Sequence, residues 1–113
     1  MEVLKIKSLL DTKLQREDIL DYLRGIILNV FDGYPVTVYL FGSWTKAREK
    51  RTSDIDIAIW YGENMPNTIL TELRSIIDES EMPYKVDLVD LTRSDDKFIK
   101  KEGIVWKDYK KGL

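Results

Sequence analysis

Five residues hold the reactive potential of this 113-residue chain: Gly42, Ser43, Asp54, Asp56 and Asp87. A Gly-Ser dipeptide keeps large side chains away from the backbone, so its N–H groups can approach a phosphate closely. Ten residues separate Ser43 from Asp54. Asp54 and Asp56 stand two apart in an otherwise hydrophobic run, and a strand period of two places them on one face. Asp87 interrupts a second hydrophobic run, Val86-Asp87-Leu88-Val89. Three carboxylates on neighbouring strands are costly unless a cation neutralises them, and magnesium takes hard oxygen ligands of this kind. The rival reading is a solvated strand face. Against it, aspartate is depleted in strands and like charges on one face repel.

Absences narrow the chemistry further. The chain has no cysteine and no histidine. That excludes a disulfide, a thiolate nucleophile, a Ser-His-Asp triad and any histidine-ligated metal. Carboxylate, lysine, tyrosine and metal-bound oxygen remain. This inventory suits phosphoryl or nucleotidyl transfer, where positioning and charge neutralisation do most of the work.

The periodicities around these residues predict the elements that carry them. Thr37 to Phe41 is β-branched and aromatic and reads as a strand ending at the Gly-Ser turn. Asp54 to Trp60 reads as the next strand, with Ile55, Ile57 and Ile59 on the face opposite the aspartates. Tyr84 to Asp90 reads as a third strand; Asp90 closes it and is placed to cap the next element. Arg16 to Phe31 repeats apolar residues at helical spacing, with Glu17 and Asp18 in its first turn and Gly33 and Pro35 beyond its end. A second helix runs from Pro66 to about Glu79, with Ile69, Leu70, Leu73, Ile76 and Ile77 at helical spacing. Thr92 or Ser94 starts a last helix, with Asp95 and Asp96 in its first turn and Phe98 and Ile99 facing in. Ile104-Val105-Trp106 is a short extended piece. Met1 to Leu10 fits either a short helix or an arm, so residues 1–14 stand outside the predicted core of a single 1–113 domain. The fold class is α/β (α+β): a small mixed sheet with helices mainly on one face.

Composition sets the outer bounds. Hydrophobic residues make up 43% and charged residues 34%, with a net charge of −2, an ordinary globular balance. No run of 18 apolar residues and no signal-peptide core is present, so the expectation is a cytoplasmic protein without a membrane partner. The charge balance also argues against a nucleic-acid partner. Charge is nevertheless uneven. Lys46, Arg48, Lys50 and Arg51 surround Glu49, and six lysines stand from Lys97 onward against Glu102 and Asp108. The tail reads as a solvated face.

The order Gly-Ser after a strand, ten residues, Asp-x-Asp on the next strand and a lone Asp on a third resembles the DNA polymerase β-like nucleotidyltransferase superfamily. The short length resembles its minimal nucleotidyltransferases, the MNT proteins found beside HEPN-domain partners. The resemblance covers about Gln15 to Trp106. It implies a polymerase β-like nucleotidyltransferase fold and transfer of a nucleoside monophosphate, AMP from ATP or another NTP, to a hydroxyl acceptor. It implies a triphosphate at Gly42 and Ser43, and two Mg2+ ions held by Asp54, Asp56 and Asp87. Asp87 would hold the ion nearer the acceptor and help deprotonate its hydroxyl.

The chain departs from the family in two places. Many relatives have a basic residue after Gly-Ser and a glycine near the position of Ala47, where this chain has Trp44 and Ala47. Lys46, Arg48, Lys50 and Arg51 offer charge to the phosphates instead. Trp44 packs either on the nucleotide or a partner, or in the interior. Larger members carry an added acceptor-binding domain, so the resemblance implies a separate subunit: a HEPN-type helical protein encoded nearby, in a hetero-oligomer or beside a homodimer. The apolar residues Leu4, Ile6, Leu9 and Leu10, with Trp106 and Tyr109 expected to be exposed, suggest a partner surface. Some MNT proteins act as antitoxins that nucleotidylate a tyrosine of that partner. Two rivals stand beside this reading: a binding antitoxin with a vestigial metal site, and the catalytic half of a two-protein antibiotic-type adenylyltransferase.

Overall fold

The computed structural model describes residues 16–46, 49, 53–61, 65–66, 68–91 and 101–108. The expectations for Met1 to Leu10, for most of the helix from Thr92 or Ser94, for Tyr109 and for most of the basic loop lie outside the described residues; of that helix Lys101 and Glu102 are described and are helical. Among the described residues, four strands form one sheet in the order β3-β2-β1-β4: β1 Val36–Phe41, β2 Ile55–Tyr61, β3 Val86–Asp90 and β4 Ile104–Lys107. β1 pairs antiparallel with β2 and β4, and β2 pairs parallel with β3. The sheet is mixed, as expected.

Helix α1, Arg16–Val30, buries Ile19, Leu20, Leu23 and Ile27 at spacings of one, three and four. That stripe packs on Val36, Val38, Leu40, Ile55, Ile57 and Ile59 of the sheet, all in one core cluster. Truncating a fully buried member such as Leu23 to alanine costs about 2–5 kcal/mol. Gly33 ends the helix region at φ 80°, a left-handed conformation that glycine adopts without a Cβ penalty.

Helix α2, Ile69–Glu79, is the crossover that parallel β2 and β3 require. It buries Ile69, Leu73 and Ile77 in the same core. Arg74 Nη1 donates to the carbonyl of Val86 at 2.7 Å and ties the helix to the first residue of β3. The helix begins at Ile69, three residues after the expected Pro66; the Pro66 carbonyl accepts the Ile69 N–H at 3.1 Å in the turn that leads in. Ile76, expected in the apolar stripe, is 44% exposed. It flanks the buried row of Ile69, Leu73 and Ile77, which is narrower than the periodicity suggested. β3 starts at Val86 rather than Tyr84.

The short extended piece at the C-terminal end is β4, an edge strand. Its ladder with β1 shifts register between Val38 and Tyr39, so Trp106 is an extra residue between the paired Val105 and Lys107, as in a β-bulge. Trp106 is half-buried against the core cluster, which corrects the expectation of an exposed tryptophan. Lys107 is buried and donates from Nζ to the carbonyls of Phe31 at 2.7 Å and Tyr34 at 2.9 Å. Burial lowers its pKa below the usual lysine value, with Asp32 opposing. This lysine is therefore no part of a solvated tail. It satisfies carbonyls just past the end of α1, a helix with no basic residue in its last turn.

Candidate active site

Register decides which side chains meet. Phe41 pairs with Asp56 across β1 and β2, and Asp56 pairs with Asp87 across β2 and β3. Ile57, Ile59 and Leu40 face the helices, so Asp56 and Asp87 point from the opposite face, beside each other. Asp54 lies one residue before β2 rather than inside it, and the Ile55 N–H donates to the Lys85 carbonyl at 2.9 Å just ahead of β3. That bond brings the approach to both strands together. Asp56 is half-buried and Asp87 exposed. Burial, then Asp87, then Asp54 push the Asp56 carboxyl above its usual pKa, all three in one direction.

The Gly-Ser dipeptide opens a single 3-10 turn, Gly42–Lys46, directly after β1. Gly42 has φ 80°. A Cβ built there would overlap Oδ2 of Asp56 and stand 3.3 Å from its carboxyl carbon. Only glycine lets the turn's backbone come this close to the carboxylate. Thr45 Oγ1 donates to the Gly42 carbonyl at 2.7 Å and closes the turn on itself.

Trp44 is 1% exposed and belongs to the core. Its ring meets Tyr84 edge to face, with centroids 5.0 Å apart. Of the two roles open to it, interior packing is the one the structure shows. Its Nε1 has no hydrogen-bond partner among the described residues. Above the ring lies the Arg16 guanidinium, 5.7 Å from the centroid. Arg16 donates to the Trp44 carbonyl from Nη2 and to Glu49 Oε2 from Nε at 2.8 Å. Glu49 holds Arg16 above the ordinary arginine value, and Arg16 holds Glu49 below the ordinary carboxylate value.

Of the expected site residues, Gly42, Asp56 and Asp87 thus converge at one end of the sheet face opposite the helices, which is not fully open because it buries Ala58 with Leu91 in a second apolar cluster; Ser43 comes next to Gly42 in the turn and Asp54 enters from the loop before β2. Asp90 points instead to the helix side, where Tyr61 Oη donates to its Oδ2 at 2.9 Å. Lys46 is exposed at the end of the turn, and the other basic loop residues lie outside the described residues. Sequence reasoning missed Arg16, Glu49 and Lys107. The lone acid in a basic loop was the available signal for Glu49; nothing local marked the other two.

A divalent ion suits the donor set by chemistry, because Asp56 and Asp87 are paired in register and, among the described residues, Asp87 and Asp54 both disfavour the charged form of Asp56. Among the described residues no group of three or more acidic side chains is arranged to hold a metal ion, so Asp54, Asp56 and Asp87 do not meet as a three-ligand cluster. Magnesium commonly takes one or two carboxylates and completes its shell with water and substrate phosphate.

A strand, a glycine turn against a carboxylate and a second carboxylate in register stand together at one end of the sheet. The model of the family described as polymerase beta, nucleotidyltransferase matches residues 26–105, and the chain belongs to that family. It is 36% identical over 62 residues to a probable protein adenylyltransferase MntA of Haemophilus influenzae, covering 55% of this chain and 54% of the relative. It is 41% identical over 54 residues to the protein adenylyltransferase MntA of Shewanella oneidensis, covering 48% and 38%. The matches therefore span about half of each curated relative or less. A crystal structure of a toxin–antitoxin with AMP-PNP superimposes at TM-score 0.57 with 28% identity, covering 75% of this chain and 73% of that one. A mutant MntA–HpeT toxin–antitoxin structure does so at TM-score 0.55 with 25% identity, covering 75% and 72%. No helix among the described residues is long and apolar enough to cross a membrane.

Proposed function

We propose that this chain transfers AMP from ATP to a hydroxyl group on a separate helical protein of the HEPN type, encoded beside it, as the enzyme of a toxin–antitoxin pair. The observation that carries the reading is the approach of Gly42 to Asp56, with Asp56 in register with Asp87. It joins a turn able to grip phosphate to a pair of carboxylates at one end of the sheet face opposite the helices. The adenylyltransferase relatives and the toxin–antitoxin structure with AMP-PNP support the choice of nucleotide and partner class.

In this reading the N–H groups of Gly42 and Ser43 hold the β and γ phosphates. Asp54, Asp56 and Asp87 would hold two magnesium ions, which would supply charge neutralisation to the phosphates. Asp87, the more exposed carboxylate, takes the proton of the acceptor hydroxyl. The acceptor oxygen bonds to the α phosphorus as the bond to the β-phosphate oxygen breaks, and pyrophosphate leaves. Through bound cations the carboxylates would orient the triphosphate for in-line attack, while the Gly42 and Ser43 N–H groups hold the leaving group beside them.

Label transfer from α-labelled ATP, with the co-expressed neighbouring helical protein present, is the test. Covalent label on the partner, lost with Asp56→Asn, is the expected result. A stable complex without label on the partner favours a purely masking antitoxin. Label on a small molecule in place of the partner favours the antibiotic-type enzyme.

A further inference from the structure

We infer that Arg16 and Glu49 form a latch that fixes the phosphate turn and sets its affinity for the polyphosphate of the nucleotide; the inference rests on the proposed reading of that turn. Arg16 is the first residue of α1, and Glu49 lies in the basic loop after the turn. The two are 33 positions apart, yet the guanidinium makes a two-pronged contact with the carboxylate. Nε reaches Oε2 at 2.8 Å and Nη2 reaches Oε1 at 3.3 Å. The same Nη2 donates to the carbonyl of Trp44, inside the turn. The guanidinium also stacks over the Trp44 ring, and that ring is anchored in the core. One side chain therefore binds the helix, the turn and the loop at once.

Two effects on nucleotide binding result. The turn carbonyl of Trp44 is held toward α1, which constrains the turn's backbone and so where the N–H groups of Gly42 and Ser43 can point. A planar, always-charged fork is suited to such a three-way contact, and lysine cannot reproduce it. The second effect is electrostatic. Glu49 is the one acid among Lys46, Arg48, Lys50 and Arg51. Its side chain is only 16% exposed and is spent on Arg16. The Glu49 charge is thus neutralised from the helix side, so it does not compete with phosphate for the cations next to it in sequence. Arg16 is a positioning residue in this account and touches no nucleotide.

The test uses the full chain and compares ATP with AMP by calorimetry in magnesium. Arg16→Gln and Glu49→Gln are each expected to weaken ATP binding about tenfold, the scale of a displaced charge-assisted contact, while AMP affinity stays within about twofold. A merely structural role would move both nucleotides together or neither. Amide hydrogen exchange over Gly42–Lys46 should quicken in both variants without faster exchange in the core strands. Because the pair acts as one unit, the double variant should bind ATP no more than about twofold worse than either single one. Arg16→Lys should fail to restore the turn's protection. Unchanged ATP affinity in both variants, with Asp56→Asn still abolishing transfer, would sink the latch and leave the site reading standing. Equal losses for ATP and AMP would also overturn it. No ATP binding by the wild-type chain would overturn the site reading and the latch together.

Discussion

Asp56 and Lys107 are both charged groups withdrawn from water, and their surroundings treat them in opposite ways. Lys107 meets two backbone carbonyls beyond the end of α1. A lysine that loses its proton keeps two N–H donors, so those contacts survive in either state. Asp56 meets two more aspartates and the bare backbone of Gly42. The scaffold end of the sheet answers its buried charge with partners. At the site end, burial, Asp87 and Asp54 all disfavour the charged form of Asp56 among the described residues. Strain of that kind is tolerated where it serves function, since a sequence selected only for stability would remove it.

The contrast is sharpened most by Asp56→Asn. Transfer should fall at least about 10³-fold, the loss expected when a metal-binding carboxylate goes. The melting temperature of the metal-free protein should rise, because a like-charge repulsion disappears. Label transfer and thermal denaturation on one preparation check both; a lower melting temperature would make Asp56 a structural residue. Gly42→Val comes next. Positive φ with a side chain costs about 1–2 kcal/mol, and the overlap with Asp56 adds to it. ATP binding in magnesium should be lost to calorimetry, while the fold, monitored by circular dichroism, weakens but persists.

Lys107→Met tests the other region. It leaves the Phe31 and Tyr34 carbonyls short of a donor at a net cost of about 1–2 kcal/mol, after the relief of burying no ammonium. Chemical denaturation should show the loss, with transfer unchanged. Reduced transfer at full folding would break the separation of scaffold from site.

The smallest effects are the pH slopes, and they have opposite signs. Asp56 binds its proton more tightly folded than unfolded. Its contribution to stability therefore falls as pH rises through the interval just above its ordinary value of 3.8. Lys107 binds its proton less tightly folded than unfolded. Its contribution rises as pH climbs through the interval below its ordinary value of 10.5. Stability curves of Asp56→Asn and Lys107→Met, each subtracted from wild type, should show these slopes. Matching signs in the two curves would contradict the assignment of causes.

The contrast also explains what could be read from the sequence. Ile55, Ile57 and Ile59 alternate with Asp56, so period alone put the carboxylate on the face opposite the isoleucines, and β2 formed as expected. Asp87 was chosen over Asp90 by the family resemblance, because two aspartates three apart on a strand take opposite faces and period alone does not say which one joins Asp56. The Gly-Ser turn was legible because glycine has few reasons to stand so close behind a strand. Arg16 and Lys107 were not legible. Their partners lie 33 and 76 positions away or are backbone carbonyls, and no residue type announces a carbonyl. Trp44 was undecided between site and interior because an aromatic side chain suits both; its contact with Tyr84 is a tertiary fact.

The pairing of Asp56 with Asp87 has a consequence for how this site tolerates change. Were β3 to slide by one residue along β2, Leu88 would stand beside Asp56 and Asp87 would turn into the apolar interior. A carboxylate there without a partner such as Tyr61 gives Asp90 is costly or must take up a proton. Insertions or deletions between Glu79 and Val86 are therefore policed by folding before activity is ever tried, and the spacing of the reactive groups is inherited through the oily side of the sheet.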